Sequence, residues 1–210
     1  EMCIRDSHWT APSVVTPTVG TDDVLPTDDL IGSRFEVALG HLVHKALAWL
    51  ATTQTNAADL LPNRLESWSA QLDVDPTDLP GLIQQAQQHL ECVSSSQHGQ
   101  WLLSDHESAQ CEWAISGLDH QGQARNAIID RYFVADQQRW IIDYKTATPN
   151  HESQSKEQFL QEQRERYRPQ LERYRQLVTQ LHFDDPLPIR AALYFTCLLY
   201  TSPSPRDSNL

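Results

Sequence analysis

The chain has 210 residues, enough for one ordinary domain with an adequate core, and its composition is that of a globular protein. Sixteen basic against 28 acidic residues give a net charge of −12, which argues against a protein that coats nucleic acid indiscriminately, although a divalent cation inverts the local field of acidic ligands. No apolar stretch approaches the roughly 18 residues of a membrane span, so no membrane partner and a cytoplasmic setting are expected, and Cys3, Cys92, Cys111 and Cys197 form no CxxC, so neither a zinc site nor an iron–sulfur cluster is expected.

Both ends depart from any folding pattern. The opening EMCIRDS and the closing CLLYTSPSPRDSNL resemble translated sequencing-adapter read-through, so residues 1–7 and 197–210 are expected to be foreign and the remainder a piece of a longer protein. Residues 8–30, rich in Pro, Thr and Asp, read as an irregular lead-in that completes a segment 1–30 before a domain over 31–196. From Ser33 a helix is signalled by a capping box with Glu36 and by Phe35, Leu39, Leu42, Val43, Ala46, Leu47 and Leu50 at helical spacing. His44 lies at the edge of this stripe, as a half-buried packing residue or a solvated one. Residues 57–92 read as two amphipathic helical pieces broken around Asp73–Thr77, with no chemistry of their own.

Strands follow. His98-Gly99 reads as a turn, and Gln100–Leu103 and Ala109–Ile115 read as strands. Glu112 reads as an outward residue on the polar face of its strand. After the polar turn Leu118–Gln123 comes AIIDRYFVADQQRWIIDYKT, two apolar runs joined by a short polar turn, which is the pattern of a hairpin. The first run ends in Asp130 and the second in Asp143-Tyr144-Lys145. Alternation along a strand puts Asp143 and Lys145 on one face and Tyr144 on the other. Carboxylates on neighbouring strands can share a hard divalent cation that bridges to phosphate, and a lysine beside them can orient an attacking water.

Glu152–Leu181 reads as a long polar helix with Phe159, Tyr167, Leu171, Tyr174, Leu177, Val178 and Leu181 inward. Lys156, Arg164, Arg166, Arg168, Arg173 and Arg175 make it mildly basic against four acids; this is a solvated face, or a set of phosphate contacts with tyrosines that stack on bases. Spacings of three and four put Tyr167, Gln170 and Tyr174 together, and Pro169 is expected to kink the helix. Pro188–Thr196 reads as a strand buried on both faces. No GxxxxGK[ST] occurs, so this piece is not a P-loop ATPase.

Asp130 and, thirteen positions on, Asp143-Tyr144-Lys145-Thr146 resemble the PD-(D/E)xK nuclease superfamily. The IIDYKT form, the preceding Gly40-His41-Leu42-Val43-His44 and the later YxxQLxxY run Tyr167–Tyr174 are similar to its RecB/AddA-like branch. The resemblance implies an α/β fold, a mixed central sheet flanked by helices. It implies metal-dependent cleavage of DNA in double-strand-break repair and recombination, near the nucleoid. In that likeness His44, Asp130, Asp143 and the Tyr144 carbonyl hold Mg²⁺, or Mn²⁺ in its place, Lys145 positions the water, and Gln170 and Tyr174 orient lysine or DNA. Tyr167, Arg164, Arg168 and Arg175 become DNA contacts, and Glu112 becomes a further acid near the site. The implied partners are DNA, a helicase motor in the same polypeptide and a second repair subunit; a degenerate DNA-binding module and a free-standing nuclease are the alternatives.

Overall fold

A computed structural model describes residues 33–53, 62–119, 121–149, 155–185 and 187–198. The lead-in 8–30 and most of the closing tail lie outside them. Helix α1 (Arg34–Thr53) begins as its capping box predicts: Ser33 N–H donates to Glu36 Oε2 at 2.7 Å, and Glu36 N–H donates back to Ser33 Oγ. Its apolar stripe, from Ala38 to Ala51, is buried. It packs on α2 (Pro62–Ser69) and α3 (Leu79–Ser95), which flank the expected break, and the helices share one core with Phe133, Trp140, Ile142 and Tyr144 of the sheet.

Residues 100–103 are not a strand. Gln97–Leu103 is a helix, α4, capped by Ser96 Oγ, which accepts from Gly99 N–H at 2.9 Å. The Trp and two leucines that suggested a strand instead form the inner side of one helical turn. Trp101 meets Phe133 and Trp140 edge-on, at 5.0 and 5.2 Å between ring centroids. Gly99 marks no turn; a Cβ there would fall 2.0 Å from the Val93 carbonyl oxygen, so the close passage of α3 into α4 requires the glycine.

Four strands form one sheet in the order β1-β2-β3-β4: β1 (Glu107–Leu118), β2 (Ala124–Ala135), β3 (Gln138–Lys145) and β4 (Ile189–Phe195). The first three make an antiparallel meander, and β4 joins β3 in parallel after the long crossover through α5 (Lys156–Leu181). The β2–β3 turn is tighter than the sequence suggests. Asp136 and Gln137 alone connect the strands, both with positive φ (51° and 57°), the signature of a type I′ turn. β4 is half-buried rather than enclosed on both faces, with only Ala192 fully covered, because it ends the sheet. At its end Cys197 Sγ stands 2.7 Å from Cys92 Sγ, so this cysteine packs against α3.

Helix α5 starts at Lys156, with a capping box between Ser155 and Gln158, and runs unbroken through Pro169; Glu152, the expected start, lies outside the described residues. Its inner residues Tyr174, Leu177 and Val178 pack on Ile115, Ile129 and Ile141, a second core on the sheet face opposite α1. No helix among the described residues is long and apolar enough to cross a membrane.

Candidate functional site

The β2–β3 ladder ends at the pair Arg131 and Ile142. Beyond it the Asp130 carboxylate takes over the role of a ladder carbonyl and accepts the Tyr144 backbone N–H at 2.7 Å, so the strands part around a side-chain oxygen. At this level the alternation of faces also slips. Ile129 and Tyr132, three apart, share one core cluster, whereas strict alternation would put them on opposite faces. On the neighbouring strand Glu112 has φ 48°, a left-handed conformation in the middle of β1. The slip sends Asp130 and Glu112 towards helix α1. There His44 Nδ1 lies 3.3 Å from Asp130 Oδ1, and single ligand atoms of His44, Glu112 and Asp130 all lie within 4.8 Å of one another.

Asp143 and Lys145 face α5. Lys145 Nζ is 2.9 Å from Asp143 Oδ2, a buried ion pair at the end of β3. The other oxygen, Oδ1, accepts from Gln170 Nε2 at 3.2 Å and Tyr174 Oη at 3.5 Å, and Gln170 Nε2 also reaches Tyr174 Oη at 2.7 Å. Lys145 Nζ sits over the Tyr167 ring, 3.8 Å from its centroid. The spacing Tyr167, Gln170, Tyr174 along one helix face is what brings all three to the end of β3.

The titrations follow from this crowding. Burial alone would lower the His44 imidazole, but the charge and hydrogen bond of Asp130, helped by Asp143 and Glu112, outweigh it and raise the group to about 9. Asp143 is pushed up to about 6, first by burial and then by Asp130, against the pull of Lys145 and His44. Burial would likewise lower Lys145, yet Asp143 holds its ammonium above the ordinary lysine value.

The donor set of His44, Glu112 and Asp130 fits a divalent cation, an imidazole and two carboxylates within reach of one ion; the Asp143 carboxylate lies outside that group but close enough to act on the His44 charge. His41 is exposed, and Glu112 is exposed while also belonging to the ligand cluster. Tyr144 points away from Asp143 into the α1 core, as alternation requires, and its hydroxyl is buried without a partner. Tyr167 is only 7% exposed. Arg168 is exposed, Arg164 and Arg175 are half-buried, and none of these three takes part in the hydrogen bonds around Asp143. Arg131, whose place in an apolar strand gives no hint of a role, serves the site indirectly. It is 2% exposed and donates to the Leu102 and Ser104 carbonyls at the end of α4, which anchors the strand next to Asp130.

The sequence matches the PD-(D/E)XK nuclease superfamily over residues 23–204, most of the chain and every element of the site. The chain belongs to this superfamily. Its mixed four-stranded sheet between helices is the core expected of such a nuclease, and superfamily members are generally metal-dependent nucleases acting on DNA. No curated protein gives a significant match to this nuclease domain.

Proposed function

We propose that the chain is a magnesium-dependent deoxyribonuclease, with manganese able to substitute, and that it is the nuclease module of a RecB/AddA-like helicase–nuclease acting in double-strand-break repair and recombination. One observation carries the activity: an imidazole and two carboxylates converge within 4.8 Å, beside a buried Asp143–Lys145 pair. The narrower placement is supported by the order of elements, a helix with His44, a meander with Asp130 and Asp143-Tyr144-Lys145, and a helix with Gln170 and Tyr174. On that placement a helicase motor in the same polypeptide, a second repair subunit and a location at the nucleoid follow.

His44, Glu112, Asp130 and Asp143, with the Tyr144 carbonyl, would hold the cation, which when bound supplies Lewis-acid polarisation of the phosphate and acidifies a water. Lys145 remains an ammonium. It can donate to the attacking water and offset the charge that builds on the phosphate oxygens. Gln170 and Tyr174 fix the Asp143 carboxylate, so the oxygen beside Lys145 keeps its direction. The buried surroundings strengthen each of these charges relative to water.

The deciding measurement is degradation of linear duplex DNA by the wild type and by Lys145→Ala, with Mg²⁺ and with Mn²⁺. Loss of one such charge-stabilising donor costs about 10²- to 10³-fold in rate. A wild type no faster than the variant in either metal would make this a DNA-binding module without catalysis.

A further inference from the structure

Helix α5 approaches the Asp143–Lys145 pair with three side chains, and they divide the pair between them. Gln170 and Tyr174 reach only the carboxylate. The amine meets Tyr167, through the face of its ring rather than its hydroxyl, 3.8 Å from Nζ to the centroid. Both partners are sealed, Tyr167 at 7% and Lys145 at 8% exposure, so the ring has no open face on which a nucleotide base could stack. Arg166, next along the helix, puts a second cation 5.3 Å from the same centroid.

A lysine has four rotatable side-chain bonds and no preferred heading of its own. The ion pair with Asp143 occupies one side of its ammonium and leaves the remaining N–H directions unset. An aromatic face supplies a further restraint by attracting the cation through its quadrupole; of the three N–H groups one turns to Asp143 and one to the ring, which leaves the third to donate elsewhere. From this geometry we infer that Tyr167 is a positioning residue for Lys145, acting through its ring, and not a DNA-stacking residue. The inference rests on the nuclease role proposed above.

The test uses Tyr167→Phe and Tyr167→Leu in the full chain. The phenylalanine keeps the ring and loses the hydroxyl; the leucine keeps apolar bulk and loses the quadrupole. Tyr167→Leu should lower kcat about 10- to 30-fold with KM within about twofold, the size of a desolvated cation–ring contact. Tyr167→Phe should recover the rate to within about threefold of wild type. In a Lys145→Ala background Tyr167→Leu should cause no further loss. A rise in KM shared by both variants, or an equal loss of kcat in both, would overturn the inference in favour of a contact made by the hydroxyl.

A second readout needs no activity. The chain has three lysines, Lys45, Lys145 and Lys156, so their side-chain resonances are separable by labelling lysine alone. The Lys145 methylene next to Nζ should be shifted upfield by the ring in wild type and in Tyr167→Phe, and should return to the ordinary position in Tyr167→Leu. Its absence in the wild type overturns the inference whether or not the protein cuts DNA and whether or not Tyr167→Leu folds. A wild type that cuts nothing bears on the nuclease role alone.

Discussion

His44 Nδ1 on α1 and Asp130 Oδ1 on β2 stand 3.3 Å apart, an ion pair that bridges the helix layer and the parted strands of the sheet. Because Asp130 raises the imidazole from 6.5 to about 9 against the effect of burial, His44 carries a proton at neutral pH. A cation gripped by His44 and Asp130 must displace that proton. Manganese affinity should therefore climb from pH 6.5 towards 9 and then level off. Calorimetric titrations at several pH values, in buffers of different ionisation enthalpy, would show proton release. An affinity flat across this range would remove His44 from the ligand set. Without metal the sign for stability is opposite: a folded pKa above the unfolded value gives a contribution complete below 6.5 and lost as pH rises through about 9.

Glu112 separates a ligand from a bystander. It is exposed, so Glu112→Gln should leave the denaturation midpoint within the small range of surface changes, about 0.5 kcal/mol. If it helps hold the cation, manganese binding should weaken about tenfold or more. Isothermal titration of the variant at pH 8 decides between the two, and an unchanged affinity would return Glu112 to the solvated face of its strand.

Acid should loosen the packing of α3 on the end of β4. His89 is 7% exposed, its Nδ1 lies 2.7 Å from Thr196 Oγ1, and burial holds the imidazole below its ordinary 6.5. A depressed folded pKa means that the neutral ring favours the fold above 6.5 and that this contribution fades as pH falls below that value. Urea midpoints measured between pH 7 and pH 5 should drop in the wild type and drop less in His89→Gln. Equal slopes would show that another group controls the acid limb.

Two glycines differ in what surrounds them. At Gly99 an added methyl meets the Val93 carbonyl carbon at 2.7 Å and its oxygen closer still, which is backbone and cannot swing aside. At Gly117 it meets Gln180 Oε1 at 2.6 Å and Leu177 Cδ2 at 2.7 Å, the ends of side chains. Gly99→Ala should therefore destabilise by about 1–3 kcal/mol or more, the range of overpacked sites, and Gly117→Ala by less. The order of the two thermal midpoints checks this; a reversed order would mean that α3 and α4 shift freely and β1 and α5 do not.

What the sequence determined by itself was whatever local periodicity and capping encode. The α1 stripe and its Ser33–Glu36 box, the IIDRYF and WIIDYK hairpin and the Tyr167–Gln170–Tyr174 face all lie within a few residues of their partners, so spacing alone places them. The same short range misled at Gln97–Leu103, where a Trp and two leucines suit a strand or a helical turn equally; the Ser96 cap and the aromatic contacts to Phe133 and Trp140 choose the helix. Only the tertiary structure decided the membership of the metal cluster and the seat of Lys145. Glu112 joins His44 and Asp130 because the strand backbone turns left-handed there and the alternation slips, and regular pleating gives no hint of that. Tyr167 meets Lys145 across a crossover of more than twenty residues, and the angle at which α5 packs on the sheet is set by the burial of Leu177 and Val178 against Ile129 and Ile141.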